Sequence, residues 1–132
     1  MFNLNDNLKN KKFLIYGYGK SGHASFNYLK KNNKVSIYDD NKINRKFFIS
    51  LNKIKSSEFD YIVLSPGIDI NKCKLSKYLI KNKSKIITEL DVFYLNYPKI
   101  KKIAITGTNG KSTTSKLLYL SLIHISEPTR PY

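Results

Sequence analysis

Cysteine is nearly absent from this chain of 132 residues: Cys73 stands alone. An internal disulfide is therefore excluded, and a reducing, cytoplasmic setting is the expectation. A lone cysteine of this kind is read as structural or incidental, not catalytic. Acidic residues are also scarce, nine against 24 Lys and Arg, which leaves a formal charge of +15. That excess invites a nucleic-acid reading, but arginine is the next shortage, with only Arg45 and Arg130. Readers of bases and phosphates usually rely on arginine forks, whereas a point-charge lysine surface is simply well solvated. The 22 lysines, with 14 asparagines and abundant Ile, Tyr and Phe, match what an AT-rich coding sequence produces. No nucleic-acid partner is expected. No apolar run reaches eighteen residues, so no membrane-spanning helix and no membrane partner are expected. The start, Met1-Phe2-Asn3-Leu4-Asn5-Asp6, has neither a basic segment nor an apolar core, so no secretory signal is expected.

What the chain does have is ordinary apolar content, 41%, arranged as short runs between turn residues. Lys12–Tyr16 is a compact run closed by a glycine turn. Helical spacing follows from His23 to Lys31, and Val35–Tyr38 reads as a second strand ending at Asp39-Asp40. Such a strand–loop–helix–strand unit implies a parallel pair with a right-handed crossover. Phe47, Phe48, Ile49 and Leu51 suggest a short helix or an edge element. Tyr61–Leu64 is a further strand, ended by Ser65-Pro66-Gly67. A helix over Leu75–Asn82, a strand over Lys85–Ile87 and a helix over Glu89–Tyr97 complete the pattern. Pro98 marks a junction. The expected fold is α/β: a Rossmann-like domain with a parallel sheet over 1–97, then the first strand, loop and helix of a P-loop ATPase domain over 98–119.

Two loops carry chemistry. Thr106-Gly107-Thr108-Asn109-Gly110-Lys111-Ser112-Thr113 follows the apolar run Ile103-Ala104-Ile105. A short apolar run, a glycine turn and Lys-Ser-Thr at a helix start are the parts of a phosphate cradle. Backbone N–H groups of the turn and of the helix start would face phosphate oxygens. Lys111 would supply a mobile positive charge, and Ser112 a hydroxyl for a phosphate-bound Mg²⁺. The common pattern wants glycine where Ile105 stands, so this is a shorter variant; the bland alternative is an ordinary turn, which has no need of Lys-Ser-Thr. The second loop is Gly17-x-Gly19-x-x-Gly22, after a strand and before a helix, with Asp39 about twenty residues on. Its generic reading is an NAD-type oxidoreductase, while for Asp39 the bland one is a strand-end cap. Two phosphate-type sites in one chain point to two phosphorylated ligands.

That combination resembles the Mur ligase family, which builds the peptide stem of cell-wall precursors. Ile105–Thr113 is similar to the family's ATP loop nearly residue for residue. Leu64-Ser65-Pro66-Gly67-Ile68 and Thr88-Glu89-Leu90-Asp91-Val92-Phe93 resemble family segments in the right order, and residues 10–119 are covered. The first domain looks most like that of the D-glutamate-adding branch. The resemblance implies an ATP-dependent ligation through an acyl phosphate, with Mg²⁺, ATP, D-glutamate and UDP-N-acetylmuramoyl-L-alanine as small-molecule partners and a monomeric enzyme. Carried over, it implies ATP contacts at Gly107, Thr108, Asn109, Gly110, Lys111, Ser112 and Thr113, with Lys111 catalytic and Ser112 at the metal. It implies UDP-substrate contacts at Gly17, Gly19, Lys20, Ser21, Gly22, Asp39, Asp40 and Gly67. Asp39 is expected at the uracil end. One departure is Asp40-Asn41, where relatives often carry a hydroxyl and an arginine; nearby Lys42 is the candidate substitute. Another Mur-type or folylpolyglutamate-type ligase and an NAD-binding domain remain alternatives.

The last sixteen residues, after Lys116, contain no Lys or Asn. Leu120–Arg130 resembles the translated read-through of a sequencing-library adapter. The expectation is that residues 120–132 are non-native, that His124 and Glu127 carry no function, and that the chain is the front piece of a larger enzyme unable to ligate by itself.

Overall fold

The computed structural model describes residues 8–41 and 46–126. Among the described residues, four strands form one sheet: β1 (Lys12–Tyr16), β2 (Lys34–Tyr38), β3 (Tyr61–Leu64) and β4 (Ile86–Ile87). Their order is β2-β1-β3-β4, and every pair is parallel. Side chains alternate across a strand, so a parallel sheet buried on both faces needs apolar residues at successive positions. Phe13, Ile15, Ile37, Tyr61, Val63 and Ile87 face one way, against Phe26, Leu29 and Val92. Leu14, Tyr16, Tyr38, Ile62 and Leu64 face the other way, against Ile54, Leu75 and Leu79. The first layer is therefore α1 (Lys20–Leu29) and α4 (Glu89–Asn96). The second contains α2 (Leu51–Lys55) and α3 (Ser76–Lys81). This is the expected α/β, Rossmann-like arrangement.

Several boundaries differ from the sequence reading, each for a local reason. Helix α1 begins at Lys20 instead of His23, because the buried Gly22 lies inside the helix. Glycine's poor helix propensity hides that start in the sequence. The segment after β2 divides in two: Phe48 bridges Ile37 in parallel, and the helix begins only at Leu51. Ser50 caps it, its Oγ accepting from Lys53 N at 3.4 Å. The acidic start of α4 is a capping box: Asp91 Oδ2 accepts from Thr88 N at 2.7 Å, and Thr88 Oγ1 accepts from Asp91 N at 3.3 Å.

The chain divides into two units, Met1–Pro98 and Lys99–Tyr132. In the second, helix α5 runs Lys111–Ser126, without a break at Tyr119. No strand is assigned at Ile103–Ile105. A strand needs a neighbouring ladder partner, and none pairs with these residues among those described. Glu127, Lys42, Arg45 and Arg130 lie outside the described residues. Among the described residues, no helix is long and apolar enough to cross a membrane.

Candidate functional site

In an open parallel sheet, ligands sit beyond the carboxyl ends of the strands, where the strand order reverses. Here that point lies between β1 and β3, because the chain leaves β1 for β2 on one side and returns to β3 on the other. The loop after β1 is built for close approach. Gly17 has φ +92°, and its N–H donates to Tyr38 O at 2.8 Å. A Cβ on Gly17 would meet Ser65 Cβ at 2.8 Å. On Gly22 it would stand 1.9 Å from the Gly17 carbonyl oxygen, so the helix can cross the turn only with glycine there. Ser65 Oγ donates to that same carbonyl at 3.0 Å, which joins the turn after β3 to the turn after β1. Gly19 is the N-cap of α1 and supplies no side-chain cap. The first-turn amide dipoles, next to Lys20 and Ser21, therefore favour an anion.

A pocket of about 330 Å³ opens at this edge, lined chiefly by Gly17, Asp39, Asp40, Gly67, Asp69 and Cys73. The structure thus brings together Gly17, Asp39, Asp40 and Gly67 of the expected set. Gly19, Lys20, Ser21 and Gly22 lie at the start of α1 and do not line it. Asp39 is heavily engaged: Oδ2 accepts from Tyr18 N at 2.7 Å, and Oδ1 from Asn41 N at 2.9 Å. It braces the loop after β1 against the end of β2.

Two residues that the sequence reading missed support this edge, Tyr16 on the pocket lining and Tyr38 behind it. Tyr16 and Tyr38 pair directly across β1 and β2, with ring centroids 5.1 Å apart. Both hydroxyls donate to Asp40, Tyr16 to Oδ2 at 2.9 Å and Tyr38 to Oδ1 at 3.0 Å. Burial, then the Asp40 carboxylate, pushes the Tyr38 phenol up to about 12. The same causes, with Cys73 alongside, push Tyr16 higher still. Lys74 Nζ stands 4.0 Å from Asp40 Oδ1 on the exposed side. The available signal was positional: each tyrosine ends a strand at the ligand-bearing edge.

In the second unit, Gly107 and Gly110 both have positive φ, and Lys111 opens α5. The Lys111 ammonium folds back to donate to the Gly107 carbonyl. Thr114 N donates to Gly110 O at 2.9 Å, starting the helical ladder. Thr108, Asn109, Ser112 and Thr113 are exposed around this turn. Ser112, in the first helical turn, offers a hard oxygen donor. No cluster of three or more His, Cys, Asp or Glu suited to a metal exists among the described residues. A Mg²⁺ held by one hydroxyl together with nucleotide phosphates fits such a donor set.

No family model matches the chain. Curated proteins do. It is 37% identical over 115 residues to the UDP-N-acetylmuramoylalanine–D-glutamate ligase of Francisella philomiragia, covering 86% of this chain and 26% of that protein. It is 34% identical over 119 residues to the enzyme of the same name from Rickettsia prowazekii (83% and 26%), and 39% identical over 114 residues to that of Francisella tularensis (85% and 26%). Over most of its length the chain is similar to UDP-N-acetylmuramoylalanine–D-glutamate ligases. The resemblance to the Mur family thus extends over most of its length, and the chain spans about a quarter of the length of these ligases.

Proposed function

We propose that this chain carries the UDP-substrate domain (1–97) and the opening ATP loop (98–119) of a ligase. That ligase adds D-glutamate to UDP-N-acetylmuramoyl-L-alanine during peptidoglycan precursor synthesis, and residues 120–132 take no part. The observation that carries the reading is a switch-point pocket joined to a glycine turn in a chain that also holds Gly107–Thr113, together with the named relatives. An NAD-type reading is less well supported, because the relatives named above are ligases and the chain carries a second phosphate-type loop at Gly107–Thr113.

The chemistry follows from the weakness of a carboxylate as an electrophile, since its leaving group would be oxide. In the first step an oxygen of the alanyl carboxylate attacks the γ-phosphorus of ATP, and ADP leaves. In the second, the D-glutamate amine attacks the acyl carbon, phosphate leaves, and the nitrogen loses a proton. The chain's own part is positioning and charge. Turn and helix amides over Gly107–Thr113 hold phosphate oxygens, and Lys111 swings from the Gly107 carbonyl to the transferring phosphoryl. Ser112 would hold Mg²⁺, which supplies charge neutralisation on the phosphates. At the other cradle, the α1 amides beside Lys20 and Ser21 receive the diphosphate, and Gly67 lets the backbone after Pro66 come close to the ligand.

Phosphate release dependent on both ATP and D-glutamate tests this. The full-length ligase should turn over, and Lys111→Ala should lower the rate by about 10²–10³-fold, the scale of one lost transition-state donor. The 132-residue chain should show no turnover. An unimpaired Lys111→Ala enzyme refutes the assignment, and clear turnover by the 132-residue chain refutes its inability to ligate by itself.

A further inference from the structure

Helix α4 is apolar on more than the face it buries. Val92 and Leu95 pack into the core beneath it. Leu90 is nevertheless 67% exposed, and the rings of Phe93, Tyr94 and Tyr97 are 40–45% exposed. Those rings form one patch: Phe93 lies 6.2 Å from Tyr94 and 5.3 Å from Tyr97, centroid to centroid. Tyr28 of α1 faces Phe93 and Tyr97 across a hollow of about 340 Å³ between the two helices. A helix that is apolar all round is one that a larger protein buries, and an apolar patch of this kind marks a contact surface.

Charge narrows what covers it. Lysine supplies 22 of the 132 residues, and the helices of the other layer carry their share, Lys53 and Lys55 on α2 and Lys77 and Lys81 on α3. Helix α4 has none, and its charged residues are Glu89 and Asp91. In so lysine-rich a chain, the one helix without lysine is the one whose outer face is aromatic. Two copies of a chain with charge +15 repel each other, which disfavours self-association. The acidic pair disfavours an anionic lipid surface. The chain, however, spans only 26% of each ligase it resembles. Helix α4 ends at Asn96, shortly before the boundary at Pro98, so polypeptide that follows in such a ligase is tethered within reach of this face.

We propose that the α1–α4 face is an internal docking surface, covered in the intact ligase by the part of the polypeptide that this chain does not span, with an apolar side chain of that part seated in the hollow. The inference rests on reading the chain as a piece of such a ligase.

Hydroxyl-radical footprinting of the full-length ligase and of the 132-residue chain, read by mass spectrometry, tests it. Oxidation of Leu90, Phe93, Tyr94 and Tyr97 should fall at least about fivefold in the ligase, as for half-exposed side chains entering the buried core of an interface. Ile80, exposed on α3 in the other layer, is the control and should change less than about twofold, since surfaces away from a contact stay as they are. The double variant Leu90→Glu, Tyr94→Glu sets charge in the patch. In the 132-residue chain it should melt within about 3 °C of the parent, as surface substitutions do. In the ligase it should return Phe93 and Tyr97 to the oxidation seen in the chain. Unchanged oxidation in a ligase that turns over, or protection that survives the double variant, overturns the inference and leaves the ligase reading standing. Protection in the chain alone that grows with its concentration also overturns it, by making a second copy the occupant. A full-length protein without turnover removes the ligase reading and the inference with it.

Discussion

Replacing Gly22 by alanine should loosen the whole first domain, and the size of the effect can be worked from one distance. The added Cβ would stand 1.9 Å from the Gly17 carbonyl oxygen and 3.0 Å from its carbon. Carbon–oxygen contacts in proteins settle at about 3.3 Å or more, so the two segments must separate by more than an ångström. Neither yields cheaply. Gly17 is held by its N–H to Tyr38 O and by Ser65 Oγ on its carbonyl. Helix α1 is held by Phe26 and Leu29 in the core. Overpacking of this kind costs roughly 1–3 kcal/mol, and a backbone neighbour puts it at the upper end. Alanine returns about 1 kcal/mol through better helix propensity, leaving a net loss of about 2 kcal/mol. For a domain of this size that lowers Tm by roughly 8–16 °C. Gly19→Ala is the control: its Cβ meets nothing within 4 Å and φ is −78°, so its effect should stay within about 0.5 kcal/mol. The chain has no tryptophan, and near-ultraviolet circular dichroism of the buried tyrosines follows urea or thermal unfolding instead. Equal stability of Gly22→Ala and Gly19→Ala would refute the close-crossing argument.

Two further outcomes follow from local chemistry. The Tyr38 phenol ionises near 12 when folded and near 10.0 in its ordinary state, and Tyr16 shifts in the same direction. Because the folded values are raised, the stability they contribute is complete below pH 10 and is lost as pH rises toward 12. In an ultraviolet phenolate titration these two should ionise last and together with unfolding; all tyrosines titrating as one near pH 10 would contradict this. Thr88→Ala removes one half of the α4 capping box and should cost about 1 kcal/mol by urea unfolding, with Ser in its place restoring most of it.

The three longer strands were legible because each is a short apolar run ended by turn residues. Lys12–Tyr16 and Tyr61–Leu64 appear at the positions read from sequence, and β2 gains only Lys34. Their parallel pairing followed from the intervening helix. The start of α1 was hidden by Gly22, whose presence answers a tertiary contact that local propensity does not register. The Tyr16–Asp40–Tyr38 network was hidden for a similar reason. In sequence the tyrosines are two strand-end aromatics 22 positions apart, and only the β1–β2 register sets them side by side. Asp39 was found as an acidic residue at the right spacing, yet its backbone partners depend on how the loop after β1 folds over β2.

The central claim is that the pocket beyond β1, β2 and β3 takes a uridine-linked sugar. Calorimetric titration of the 132-residue chain with UDP-N-acetylmuramoyl-L-alanine, with NADH as competitor, tests it most directly. Saturable one-to-one binding that NADH fails to displace is the predicted result, and binding of NADH with no response to the uridine substrate would contradict it.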